Sequence, residues 1–435
     1  MSTDLPALAA SVSPTGNAVP GSTRRRSGAW PSTDRSWWRE PAILLAPLAA
    51  FAAWLYSHSD PGVDWYVLGR ARSANDAVIA LGPYVAAVVA WEMGTLRRVW
   101  GRLAVRRPWW RVLAARMALP VTIALLILVA IYAVMLAGLP TFASPGWGIP
   151  ALSVANVLGW ALFGAALGLV LGPILSLPAA LIVPFLVLAV PRSWGDPLWA
   201  RHVTGLVDGC CDPSGVYDTR ALTAGLAFLT VIDVVSLCVA AVRLAPARSG
   251  LGRPALALGV VVVAIAGGLS AAQDVRQLDA SASAPRNSDA VRCYDGNVCL
   301  WPEETFALDA NVQAWKRVRA AWIDLGLPEP PVAIGPRNSG MPLPITVAYP
   351  GAAGDIENVE MGLVTRLPAA MRGCFYRQYG LLTGGDNDPA RFELLSSLLR
   401  ARLGRPVDGP VPVTADQASQ VWSQTHRCEE GQAGG

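Results

Sequence analysis

The sequence predicts a polytopic α-helical membrane protein of about seven spans, each needing roughly 20 residues, that ends in an α+β domain. Three observations predict it. The 435 residues are 53% hydrophobic and only 15% charged, less charge than soluble globular domains carry. Apolar runs of crossing length recur from Pro41 to Ala272, with polar or arginine-rich segments between them. From Gln273 the composition turns soluble and stays so over a length sufficient for one independent domain.

The elements follow in order. Residues 1–36 are rich in Ser, Thr, Pro and Ala and have no apolar face, which predicts a disordered cytoplasmic tail. Residues 37–272 form the transmembrane helical domain. Trp37 and Trp38 mark an interface, and Pro41–Ser57 is the first span. His58–Asn75 reads as a polar loop, Asp76–Gly94 as the second span and Met117–Leu139 as the third. Ile149–Val190 carries no charged group and is too long for a single crossing, so it is two spans. Their break is placed at Gly172-Pro173, because proline disfavours helix in the residue before it. Gly164, Gly168 and Gly172 recur at four-residue spacing, a stripe that lets another helix approach closely. Packing within the chain is the expected use of this stripe, and a homodimer seam the alternative. After a loop at Pro191–Arg220, Ala221–Val242 is the sixth span and Pro254–Ala272 the seventh. Residues 273–435 form the C-terminal domain. Helices are expected there at Phe306–Leu325, Leu367–Tyr379, Pro389–Leu403 and Ala415–Gln424, with a strand at Ile345–Tyr349.

Arginine sets the orientation. Thr95–Arg116 holds seven arginines between two spans, and arginine-dense short loops stay in the cytoplasm. With the N-terminus inside, the inner segments hold five, seven, zero and three arginines, and the outer loops before the C-terminal domain two, zero and three. The bias predicts a multi-pass plasma-membrane protein with a cytoplasmic N-terminus and an extracytoplasmic C-terminal domain. Within the block, Leu96, Val99, Trp100 and Leu103 recur at i, i+3, i+4 and i+7, with Arg98, Arg102 and Arg106 on another face. This pattern predicts a basic amphipathic helix on the bilayer surface.

Cysteines bear on the same question. Cys210, Cys211, Cys293, Cys299, Cys374 and Cys428 fall on the predicted outer side, and Cys238 lies within a span. An even set on an oxidising face reads as disulfides. Their pairing stays open, with Cys293–Cys299 closing a short loop and Cys374–Cys428 stapling the tail as the preferred pairs.

Several chemistries are excluded. A phosphate-binding loop needs lysine after glycines, and the single lysine, Lys316, stands in AWKRV. Neither His-Glu-x-x-His nor Gly-x-Ser-x-Gly occurs, and His58, His202 and His426 are widely scattered. No enzymatic activity, cofactor or metal is therefore expected. Nor is nucleic acid a partner, since the net charge of +4 is small and lies in loops at the membrane. Asp233 stands in mid-span, where a carboxyl group is expensive to bury and marks a candidate site. Glu303 and Glu304 precede a helix, and capping is the expected role for the pair.

A basic inner segment after the second span, a tight inner turn between the fourth and fifth, a long outer loop and a sixth span resemble the permeases of export-type ABC transporters. The stretches WEMGTLRRVWGRL, RHVTGLVDGCCDPSGV and VCLWPEE are similar to those of actinobacterial membrane proteins, over roughly residues 40–430. The resemblance implies a separate cytoplasmic ATPase subunit docked on Leu96–Arg111, with Arg97, Arg98, Arg102, Arg106 and Arg107 as contacts. The seventh span and the outer domain depart from the simple six-helix pattern. A non-transporting membrane protein, whose outer domain binds a peptide, lipid or wall component, is the alternative.

Overall fold

A computed structural model describes residues 40–59, 66–103, 108–137, 139, 146–194, 197–211, 213, 215–244, 252–278, 282–294, 298–335, 343–344, 356–372, 375–376, 382–383, 389–407 and 414–425. The expected tail at 1–36, the strand at Ile345–Tyr349, and Arg106, Arg107, Cys374 and Cys428 lie outside them.

Among the described residues, seven helical stretches are long and apolar enough to cross a bilayer, and the chain is a polytopic helical membrane protein. The helices of this part are α1 (Pro41–His58), α2 (Val67–Asn75), α3 (Val78–Leu103), α4 (Trp109–Leu136), α5 (Gly148–Leu171), α6 (Pro173–Ser193), the single turn α7 (Ala200–Val203), α8 (Thr219–Leu244) and α9 (Gly252–Asp274). The expected break between α5 and α6 stands where proline and glycine place it. Gly172 has φ +77°, a left-handed conformation that side chains disfavour, and Pro173 opens α6 at a position where its missing N–H costs nothing.

The second span is the hub. Its apolar window is 83% buried, against 6% for that of the seventh span. The glycine stripe explains how α5 reaches it. A Cβ on Gly164 would stand 2.1 Å from the Ala86 carbonyl oxygen, and one on Gly168 would stand 2.3 Å from that of Ala90. Gly94 of α3 meets the backbone of Pro173 in the same way. The stripe is therefore a seam within the chain, where backbones touch because side chains are absent. Tyr84 donates a 2.6 Å hydrogen bond to the Ala42 carbonyl and pins the first turn of α1.

Two expectations need correction here. His58–Asn75 is not a loop throughout: Val67–Asn75 forms α2, and its residues are largely buried. Its arginines disguise it, because Arg72 is buried through ion pairing rather than solvated. Nor do Leu96–Arg111 form a separate helix on a membrane surface. Residues up to Leu103 continue α3, and Trp109 begins α4. Two residues of the apolar stripe meet the bundle instead: Leu96 is buried in its core, and the Trp100 indole donates to the Leu244 carbonyl at 3.1 Å. Periodicity marks a face that must be covered, and here neighbouring helices cover it.

The C-terminal part has its own core. β1 (Gly215–Tyr217) pairs antiparallel with β2 (Ser283–Pro285). β3 (Arg292–Tyr294) and β4 (Val298–Leu300) form a hairpin, to which β5 (Ile334–Gly335) and β6 (Leu343–Pro344) add in parallel. The helices are α10 (Leu308–Asp324), α11 (Ile356–Met371), α12 (Pro389–Arg402) and α13 (Ala415–Ser423), and a further hairpin joins β7 (Phe375–Tyr376) to β8 (Leu382–Thr383). Trp315, Val318 and Trp322 of α10 bury against Leu363 of α11 and Leu395 of α12. Gly326, at φ +68°, ends the α10 segment as its sequence predicts. The helix expected at Leu367–Tyr379 is misplaced: α11 occupies 356–371 and the chain is extended at Phe375. Buried Glu360 of α11 holds Arg317 at 2.8 Å and Arg405 at 2.5 Å, and its hydrogen bond to Arg405 pushes that guanidinium's pKa up.

Candidate functional site

Charge is gathered at one end of the helix bundle, where α2 meets α3. Asp76 and Ala77 fall between these helices, and Asp76 is almost wholly buried. An ionised carboxylate in such a place needs a cation and hydrogen bonds. Arg192, in the last turn of α6, supplies them, with Nη1 3.0 Å from Asp76 Oδ1 and Nη2 donating to Oδ2 at 3.3 Å. The same Nη2 lies 3.3 Å from Oδ1 of Asp208. Asp208 also attracts Arg72 of α2 at 3.7 Å and Arg201 of α7 at 3.5 Å. Five charged residues, from three helices, the α2–α3 break and the loop after α7, thus form one network.

Neutral groups extend it. The Asn75 amide donates to Ser153 Oγ at 2.8 Å, its carbonyl oxygen accepts the Val207 N–H at 3.0 Å, and Tyr132 Oη lies 2.9 Å from Ser153 Oγ. Buried polar groups at membrane depth are expensive and mark candidate sites. The sequence reading missed this one because Arg72 and Arg192 were counted as loop charges. The signal was present: two of the arginines counted in the outer loop, Arg192 and Arg201, stand shortly before an acid, Asp208, that binds both.

The loop after α7 joins this network to the C-terminal part. The buried Ala282 donates its N–H to the Asp208 carbonyl at 3.1 Å and accepts the Asp218 N–H at 2.8 Å. Asp218 precedes α8, and its side chain accepts the Arg220 N–H at 2.7 Å, as an N-cap does. Its carboxyl also takes the Arg220 guanidinium, with Nη2 2.8 Å from Oδ2. The Arg220 hydrogen bonds hold the Asp218 carboxyl below the usual aspartate range. Burial, with the Asp218 charge beside it, pushes the Tyr217 phenol up. A depressed carboxyl pKa stabilises the fold above the unfolded value of about 3.9 and loses that contribution as pH falls through the folded value. The thermal advantage of wild type over Asp218→Asn, followed by heating in detergent, should therefore shrink from about pH 5 to about pH 3.

The remaining candidates are dispersed. Arg97 donates to the Val170 carbonyl at 2.6 Å, so it caps α5. Arg98 is exposed beside it, and Arg102 lies in the last turn of α3. On the facing helix, Arg116 pairs with Glu92 of α3 at 2.9 Å. Asp233 is half-buried in α8, with Oδ1 against Gly159 of α5 and no hydrogen-bond partner for that atom among the described residues. Cys293 is joined to Cys299, closing the β3–β4 hairpin, and Cys210 to its neighbour Cys211; Cys238 is a free thiol. Glu304 accepts the Trp301 N–H at 2.9 Å, a capping role, whereas Glu303 pairs with Arg286 at 2.8 Å. Arg286 also lies over the Trp301 ring, 4.5 Å from its centroid. No group of three His, Cys, Asp or Glu side chains that could hold a metal occurs among the described residues.

The fold defines a multi-pass helical membrane protein, and the network is a cluster of buried charges at one end of its helix bundle. No protein-family model, curated protein or solved structure matches the chain.

Proposed function

We propose that the chain is the permease-like subunit of an ABC-type export system, driven by a separate ATPase chain. In this reading it sits in the plasma membrane with residues 1–39 and the α3–α4 turn in the cytoplasm and its C-terminal domain outside. One observation carries the proposal. Arg97 marks the level at which α5 ends, and α3 continues for six residues beyond it, to Leu103, about 9 Å at 1.5 Å per residue. The end of α3 therefore extends past the α5–α6 turn and carries Arg98 and Arg102, and Arg106 and Arg107 follow in the sequence before α4. A projecting, braced and basic tip suits docking on an acidic face of an ATPase.

Single exposed ion pairs contribute only about 0–1 kcal/mol, so the test reverses a whole face. Changing Arg98, Arg102 and Arg106 together to glutamate should abolish co-purification of an ATPase subunit, while the glutamine triple variant retains part of it. Retention of the partner by correctly inserted glutamate protein would remove the hairpin as the docking site. Orientation is read separately. A reporter active only in the cytoplasm, fused after Gly435, should stay silent, and a bright signal would invert the topology.

A second reading is favoured by the stitching of Ala282 to both ends of the 208–218 segment. A domain held this firmly suits an outer binding module for a peptide, lipid or wall component. Wild-type protein that brings down no ATPase would favour this reading.

A further inference from the structure

We infer that Asp208 and Ala282 form a latch through which the C-terminal domain sets the break between α2 and α3. The inference does not depend on transport, and its test involves no ATPase.

Three sets of contacts carry it. The last residue of α2 and the first residue of the break are held by adjacent residues of one loop: Asn75 takes the Val207 N–H at 3.0 Å, and Asp76 reaches Asp208 through Arg192. The same Asp208 is tied by its backbone carbonyl to Ala282, directly before β2. From β2 the path continues into the C-terminal part, because Arg286 contacts the Pro213 carbonyl at 3.4 Å, the Glu303 carboxylate and the Trp301 ring. Trp301 is fully buried there. A continuous set of bonds therefore runs from Trp301 through Arg286, β2, Ala282, Asp208 and Arg192 to Asp76.

Its chemistry makes it a switch rather than a spring. In a poorly solvated site, an ion network that loses one member leaves the others uncompensated. Without the Asp208 carboxylate, Arg72 and Arg201 lose an anion and Arg192 keeps only Asp76. Cooperative release of the break follows, since such a network is either made or broken.

Spatial continuity alone does not show coupling, so the test measures opening at both ends. Full-length protein in detergent micelles is followed by hydrogen exchange with mass spectrometry. In wild type, peptides covering residues 73–79 and 282–286 should become exchangeable in one cooperative step as temperature rises. Asp208→Asn should accelerate exchange in both by about a hundredfold, the scale of losing a buried ionic partner. Arg201→Gln removes one of the three cations around Asp208, together with the Arg201 bond to the Trp194 carbonyl; it should accelerate exchange most at residues 194–204, and less at 73–79 than Asp208→Asn does. Ala282→Pro removes one N–H on the C-terminal side, and should still accelerate exchange at 73–79. Acceleration confined to 200–211 in Asp208→Asn, or an unchanged 73–79 peptide in Ala282→Pro, overturns the latch. Should neither variant insert, the wild-type series decides: separate steps for the two segments reject the inference, and one shared step supports it.

Discussion

Replacing Arg192 with methionine should cost the folded protein about 3–5 kcal/mol, the range for removing one partner of a buried ion pair. Arg192 bridges both acids, 3.0 Å from Asp76 and 3.3 Å from Asp208. Methionine fills a similar volume, so the loss comes chiefly from charge. Asp76 is left buried with its principal cation gone, and it must take up a proton or find water. Combining Arg192→Met with Asp76→Asn should recover part of the loss, because no isolated carboxylate then remains. Asp208 meanwhile keeps Arg72 and Arg201. The measurement is heat denaturation in detergent, followed by loss of the monodisperse species. A single variant within about 0.5 kcal/mol of wild type would show the network to be a solvated cluster, since that is the scale of surface substitutions.

Adding one methyl group at Gly164 should be nearly as damaging. Its Cβ would meet Ala86 backbone atoms at 2.1, 2.7 and 2.8 Å, and no rotamer change can relieve contact with a carbonyl group. Overpacked cores usually cost about 1–3 kcal/mol when side chains can shift. Here two helices must separate, so Gly164→Ala should reach or exceed the top of that range. Gly259→Ala is the matched control. A Cβ at Gly259 has nothing within 4 Å, and alanine is the better helix former by about 1 kcal/mol. That variant should be neutral or slightly stabilised. Equal effects of the two substitutions would mean that α3 and α5 do not meet at this seam.

Legibility in the sequence followed what each residue pattern can physically encode. The spans were readable because hydrocarbon demands long uncharged helices, and the turn at Gly172-Pro173 because only particular residues make it. The use of the glycine stripe was readable as close approach but not as an address, since small residues do not say which helix arrives. Tertiary pairing was invisible. Arg72, Arg192 and Arg201 look like loop charges until Asp76 and Asp208 are brought among them, and Asp76 stood only as the first residue of a span. The stripe of Leu96 and Trp100 was seen as amphipathic, but periodicity cannot distinguish a lipid surface from a neighbouring helix. In the C-terminal part, α12 and α13 were close to expectation, whereas the helix expected at Leu367–Tyr379 lies earlier, as α11 at Ile356–Met371. Its proline, Pro368, lies inside the helix near its end, where the usual rule places a boundary.

The turn between α5 and α6 has a consequence for biosynthesis. A single residue, Gly172, separates the two helices, so no loop is available for one crossing to settle before the other begins. The first helix packs on α3, already made, along the glycine seam, and the second follows it without a pause. The two should enter the bilayer together as one hairpin, closing contacts of short sequence separation at little loop entropy. A flexible insertion at Gly172 would uncouple that entry and slow assembly, even where the finished protein tolerates the added length.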